Sequence, residues 1–172
     1  LNPTLSVEGA DATAYLKAKY GLDDALLAQN RAVIRERGAA VGFAFGERTW
    51  VWNTFDAHRL LYWAGVDGPA GSQRALKHAL LQAYHGEGRN PGAEDVLLDL
   101  AAQVGLDVDA ARRILRSESC AAEVRAAEGA WHRAGIHAVP AVIVDDQHLI
   151  SGGQPPEVFE RALREIAAQR AG

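Results

Sequence analysis

Few residues in this chain could do chemistry. Cys120 is the single cysteine among 172 residues, which excludes an internal disulfide and a Cys-x-x-Cys redox pair within them. It follows Ser117 and Ser119 at an expected helix start, a position that can activate a thiol. With no partner cysteine beside it, the ordinary reading is a packed, inert thiol. His58, His78, His85, His132, His137 and His148 form neither an HExxH pattern nor a His/Cys group at zinc-ligand spacing, so no metal is expected. Gly86-Glu87-Gly88 reads as a helix stop, without the strand-to-helix context of a phosphate cradle. Trp50, Trp52, Trp63 and Trp131 read as core residues rather than a ligand cage. What remains is the run GIHAVPAVIVDDQHLISGGQPPEVFERAL over 135–163, in which Val139-Pro140 opens a short apolar strand.

That strand needs a scaffold, and punctuation in the sequence supplies one. Pro140-Ala-Val-Ile-Val is too short and too β-branched for a buried helix, and Asp145-Asp146-Gln147 turns it into His148-Leu-Ile-Ser, a hairpin. Gly152-Gly153 redirects the chain. Pro155 and Pro156 suit the first turn of a helix, whose amide hydrogens are unpaired anyway, and Glu157 favours its dipole. Val158, Phe159, Ala162, Leu163 and Ile166 then form a stripe suited to covering a sheet face. A lone hairpin is marginal in water, so more strands are expected, and Leu1–Pro3 read as the end of one.

Residues 10–134 read as helices. Asp11 caps one through Tyr20, stopped by Gly21, and Asp23 or Asp24 caps a second that ends at Gly38. In the second, Ala25, Leu26, Gln29, Val33 and Arg37 lie beside a stripe of Leu27, Asn30, Ile34 and Ala40, which predicts a broad, one-sided burial face. VGFAFGERTWVWN over 41–53 reads as a packed loop. Asn53 or Thr54 caps a helix to about Ala64, with Phe55, Leu60, Leu61 and Trp63 inward and His58 and Arg59 projecting elsewhere. Further helices are expected over 73–84, over 94–104 with Gly105 as its stop, from Asp107 or Asp109 to Arg116, and from Ser117 or Ser119 to Ala134.

Composition narrows the function classes. With 18 basic against 22 acidic side chains the net charge is −4, so no overall positive field draws in phosphate backbones, and no nucleic acid is expected. No apolar run approaches the roughly 20 residues of a membrane span. Leu1 does not look like a translation start, so upstream residues are expected. Low cysteine use leans toward the cytoplasm.

Together with the 135–163 run, the segments NTFDAHRLLYWA at 53–64 and LLQAYHGEGRN make the chain resemble the FrnE-type branch of the DsbA-like thioredoxin family. The resemblance spans nearly all of the chain, and the opening Leu1-Asn2-Pro3 resembles the segment after that branch's second strand. It implies an α/β, thioredoxin-like fold with a large all-helical insertion, truncated at its N-terminus so that helix dominates. Residues 1–9 and 136–172 would be what is present of the thioredoxin-like domain and 10–135 the insertion. The implied activity is thiol–disulfide exchange on cysteine-containing proteins or peptides, with no cofactor. No catalytic residue is expected in this chain, because the family's Cys-x-x-Cys follows the first strand and would lie upstream of Leu1. By resemblance Val139 offers backbone groups to an extended substrate and Pro140, on a cis peptide bond, shapes that contact. Asn53 and His58 lie on the helix that faces the family's cleft, though capping by Asn53 and packing by His58 are the plainer readings. A related branch, the glutathione-using kappa transferases and 2-hydroxychromene-2-carboxylate isomerases, shares the fold. It uses an N-terminal serine and a Ser-Asp pattern after the last strand, where this chain has Gly152-Gly153-Gln154. A noncatalytic peptide-binding module is a third reading. An exposed sheet edge would also favour pairing of copies, a homodimer.

Overall fold

The structure, a computed structural model, describes residues 5–136 and 139–171. The strand end expected at Leu1–Pro3 and the side chain of His137 lie outside these residues. The chain divides into two compact units, Leu1–Val124 and Arg125–Gly172.

The first unit opens with β1 (Ala10–Asp11) and α1 (Ala12–Tyr20). The Asp11 carboxylate accepts from the Ala14 amide at 2.8 Å, and the helix ends at Gly21 in the left-handed region, at φ 65°, where a side chain would be strained. Helix α2 (Asp24–Ala40) is capped by Asp23, whose side chain accepts from the Leu26 amide. It runs through Gly38 instead of ending there. Gly38 is needed for close approach: a Cβ there would sit 2.6 Å from the Phe45 ring, and its carbonyl accepts from the Phe43 amide. The broad burial face expected on α2 is absent. Leu27 and Gly38 are buried, whereas Leu26, Val33 and Ile34 are exposed. Periodicity marks an apolar face without saying that anything covers it.

The 41–53 segment is mostly irregular, as its glycines predict, but Trp50–Val51 form β2, antiparallel to β1 in the register Ala10↔Val51 and Asp11↔Trp50. Helices α3 (Phe55–Val66), α4 (Ser72–Leu81), α5 (Glu94–Gln103) and α6 (Val108–Leu115) build the core. Leu60, Leu76, Leu97 and Leu100 are its largest fully buried side chains. Between α4 and α5 the chain makes a π turn, Gln82–Gly86, continuing α4 where the sequence predicts ordinary helix. Asp107 caps α6 through the amides of Asp109 and Ala110. Helix α7 (Ala121–Arg133) starts later than Ser117 or Ser119 predicts. Those two hydroxyls bond each other at 2.9 Å, inside a turn that closes with Cys120 at φ 62°.

The second unit holds the hairpin of β3 (Ala141–Val144) and β4 (His148–Ser151), paired Val142↔Ile150 and Ile143↔Leu149, with Asp145 and Asp146 both at positive φ in the turn. Helix α8 (Pro156–Ala171) follows, tied to the turn by an Arg170–Asp145 ion pair at 2.9 Å. Its apolar stripe is narrower than the sequence predicts: Ile166 is buried, Val158, Phe159 and Ala162 are half-buried, and Leu163 is exposed. Of the tryptophans Trp63 is core, whereas Trp50 and Trp131 are exposed. No described helix is long and apolar enough to cross a membrane.

Candidate functional site

Val139 and Pro140 lie in the second unit, on the residues that lead into β3, and the bond joining them is cis. The Pro140 carbonyl is taken by the Gly152 amide at 2.8 Å, which fastens the β3 entry to the β4 exit. Val139 is 87% exposed and makes no hydrogen bond within the described residues. Among the described residues nothing takes its N–H or C=O, a donor and an acceptor of the kind an extended chain laid alongside would pair with, while Pro140 contributes no donor of its own. This ledge can bind backbone. It contains no group able to move a proton or act as a nucleophile.

Asn53 and His58 lie in the first unit, at the start of α3. The Asn53 amide is committed at both ends. Its Oδ1 accepts from the Phe55 amide and its Nδ2 donates to the Leu5 carbonyl, each at 2.9 Å. It thus caps α3, as its sequence position predicts, and holds the preceding chain against that helix. Gly92 backs onto it so closely that a Cβ there would press into the Asn53 carbonyl.

The half-buried His58 imidazole makes no hydrogen bond to a described residue. Burial and then the Lys77 charge depress its pKa from 6.5 to about 4. His85, in the π turn, is lowered for the same leading reason, with Arg48 and Lys77 adding to it. Its ring lies 4.7 Å from that of Tyr84 and 6.0 Å from that of Phe45. No local pattern marks His85 or Arg48, because the 43–52 segment reaches the π turn only in the folded chain. Between pH 6.5 and about 4 the unfolded chain protonates a His58 that the folded chain keeps neutral. The stability this contributes is complete above pH 6.5 and is lost as pH falls toward 4. Thermal unfolding of His58→Gln should accordingly show a shallower decline of Tm with acidification than the parent. Parallel declines would show that His58 is not buried in this way.

Cys120 is half-buried, and burial followed by Glu123 pushes its thiol pKa up, the reverse of activation. Beside it sits a residue whose role the sequence hides. Arg59 does not project outward: it is 4% exposed, donates to the carbonyls of Ser119, Ile114 and Ser117, and pairs with Asp56 at 2.8 Å. The buried guanidinium thus satisfies the C-terminal end of α6 and the turn after it. An open groove above that turn is lined by Arg112, Arg113 and Arg116. Two of these are neutralised, Arg112 by Asp109 and Arg116 by Glu94, which leaves little field there for a ligand. Among the described residues no His/Cys/Asp/Glu group could hold a metal ion.

Residues 34–164 match the family of DSBA-like thioredoxin domains. The crystal structure of a probable DsbA oxidoreductase from Streptomyces coelicolor superposes with a TM-score of 0.84 at 30% identity, covering 95% of this chain and 70% of that one. A 2-hydroxychromene-2-carboxylate isomerase superposes with a TM-score of 0.70 at 18% identity, covering 95% of this chain and 81% of the isomerase, a likeness of fold alone. No curated protein matches the chain. The helices and the proline-led hairpin thus define a thioredoxin-like fold carrying a helical insertion. The chain belongs to the family of DSBA-like thioredoxin domains.

Proposed function

We propose that this chain is the substrate-docking and helical part of a thiol–disulfide oxidoreductase of the FrnE type, acting on cysteine-containing proteins. Its Cys-x-x-Cys pair would lie in a segment preceding Leu1, with residues 10–135 as the insertion and 1–9 and 136–172 in the thioredoxin-like domain. The observation that carries this reading is the open backbone of Val139 next to Pro140, in a chain belonging to a family of thioredoxin domains. In the reaction an enzyme thiolate attacks one sulfur of a substrate disulfide, forming a mixed disulfide and releasing the other sulfur as a thiolate. The second enzyme cysteine then attacks the mixed disulfide, which frees the substrate dithiol and leaves the enzyme oxidised, to be reduced by a dithiol donor. Val139 holds the substrate extended during these steps through hydrogen bonds to its backbone, and Pro140 leaves that contact without a competing donor.

A preparation that includes the upstream segment should reduce insulin disulfides in the presence of a dithiol donor. Val139→Pro removes the docking N–H and should lower kcat/KM about tenfold, the worth of a single lost hydrogen bond of about 1–1.5 kcal/mol. A circular-dichroism spectrum and Tm equal to the parent's should accompany the loss, which separates lost docking from a disturbed fold. Insulin reduction no faster than background would reject the oxidoreductase reading. A second reading, a glutathione-dependent isomerase or kappa transferase, is favoured by the shared fold. It requires a serine where the first reading requires Cys-x-x-Cys, so the residues preceding Leu1 separate the two.

A further inference from the structure

We propose that helix α2 is the pairing surface for a second copy of this chain, packed antiparallel on itself about a twofold axis at Asn30. The pairing is separate from thiol exchange and from the Val139 ledge. Its first support is that α2 is a long helix with an open side. All of its 17 residues except Leu27 and Gly38 are exposed. Helices in proteins draw most of their stability from burying an apolar face, and here most of that face is bare. The rest of the first unit takes only part of the circumference. Arg31 donates to the Thr13 hydroxyl at 2.9 Å and Asp24 pairs with Lys17 at 2.6 Å, which puts α1 on one side, and the Phe45 ring sits against Gly38. Leu26, Val33 and Ile34, 39–50% exposed, lie around the remainder.

The order of residues along that side selects another α2 as the occupant. Seven residues are close to two helical turns, so Asp23, Asn30 and Arg37 fall in line, with Leu26 and Val33 on one flank and Leu27 and Ile34 on the other. The line runs from an acid through an amide to a base. Antiparallel pairing centred on Asn30 brings Asp23 against the second copy's Arg37 at both ends, and between them Leu26 against Ile34 and Leu27 against Val33, each contact occurring twice. Parallel pairing would instead set acid against acid and base against base. The antiparallel arrangement also opposes the two helix dipoles, acidic start beside basic end. Asp23 keeps its cap in the pair, because its Oδ1 alone accepts the Leu26 amide and its other oxygen is left for Arg37.

Asn30 at the axis can give and take an amide hydrogen bond with its own copy, the role a single polar residue has in fixing the register of an apolar seam. From Asp23 to Arg37 the stripe is about 21 Å long at the helical rise per residue. One such helix pair buries less than the roughly 1,200 Å² of a standard interface, so the dimer is weak and forms with rising concentration.

The test is sedimentation velocity of this chain over rising concentration, which should show a monomer–dimer equilibrium. Ile34→Glu sets a carboxylate in the seam and should weaken association at least about tenfold. Leu163→Glu, at a residue of α8 with nearly the same exposure, should leave it unchanged. Circular dichroism equal to the parent's checks that both variants fold. Direction and register are read by cross-linking in a Cys120→Ser background. Under copper-phenanthroline oxidation Asn30→Cys should give a disulfide-linked dimer. Arg37→Cys should not, because antiparallel pairing holds its two copies about 21 Å apart along the axis, beyond the reach of a disulfide. Monomers at every concentration, equal linking of both cysteine variants, or loss of the dimer with Leu163→Glu and not with Ile34→Glu would overturn the proposal. So would monomers alone from a preparation carrying the upstream segment, in which α2 would then be covered within one chain.

Discussion

Arg59→Ala is expected to destabilise the first unit by several kcal/mol, because buried carbonyls lose a charged donor whose hydrogen bonds are worth about 1.5–3 kcal/mol each, whereas the half-exposed Asp56 is simply rehydrated. The guanidinium serves four acceptors: the Asp56 carboxylate and the carbonyls of Ile114, Ser117 and Ser119. Alanine would leave those carbonyls without their donors and a void where the planar fork lay, and each loss adds to the other. Arg59→Lys should recover part of the loss at most, because an ammonium on a flexible stem cannot span three carbonyls in one plane. Urea unfolding followed by tryptophan fluorescence measures this directly, since Trp63 lies in the core that α3 and α6 share. An unchanged midpoint for Arg59→Ala would mean that α6 is held in some other way.

Leu97→Ala should cost about 3–5 kcal/mol by the same measurement, as large-to-small changes in well-packed cores do. Leu97 is fully buried on α5, which packs against both α4 and α6, so three elements border the resulting cavity. Helix α6 is held at one end by the Asp107 cap and at the other by Arg59, so the elements cannot all move in to fill it. Leu163→Ala removes the same number of atoms from a side chain that is 48% exposed on α8. Its cost should fall well below that of Leu97→Ala, because much less contact is lost. Equal costs would contradict the assignment of the core.

These two effects differ in how far the sequence announces them. Leu97 is legible because its apolar neighbours Leu100, Ala101 and Val104 recur at helical spacing, and period alone identifies the inward side. Arg59 is not, because its carbonyl partners lie 55–60 residues away and no local pattern encodes them. The caps at Asp11, Asp23 and Asp107 are legible for the opposite reason, since each carboxylate bonds an amide within three residues. The hairpin and α8 are announced by β-branched residues, by Asp145-Asp146 and by paired prolines. By contrast the β1–β2 pairing joins two dipeptides 40 residues apart, and the role of Gly38 depends on a phenylalanine that reaches it only after folding.

The candidate site divides in the same way. Val139 and Pro140 stand out because proline at a strand entry constrains the chain locally, and Asn53 because a cap is local too. His58 can be singled out by residue type, but what makes its environment unusual is its burial and then the charge of Lys77 on α4, neither of which a local pattern encodes. His85 and Arg48 come together through a π turn and a loop, neither of which has a sequence period. Residue type therefore identifies groups capable of chemistry, and the fold decides which of them act together.

The proposed docking of a substrate backbone at the Val139 ledge carries the functional reading. Its most direct test is amide hydrogen exchange at Val139 in a mixed disulfide, trapped between a substrate peptide and a preparation that carries the upstream segment. Exchange at Val139 should slow at least about tenfold on trapping, because its N–H passes from open solvent into an intermolecular hydrogen bond. An exchange rate equal to that of the free protein would contradict the account.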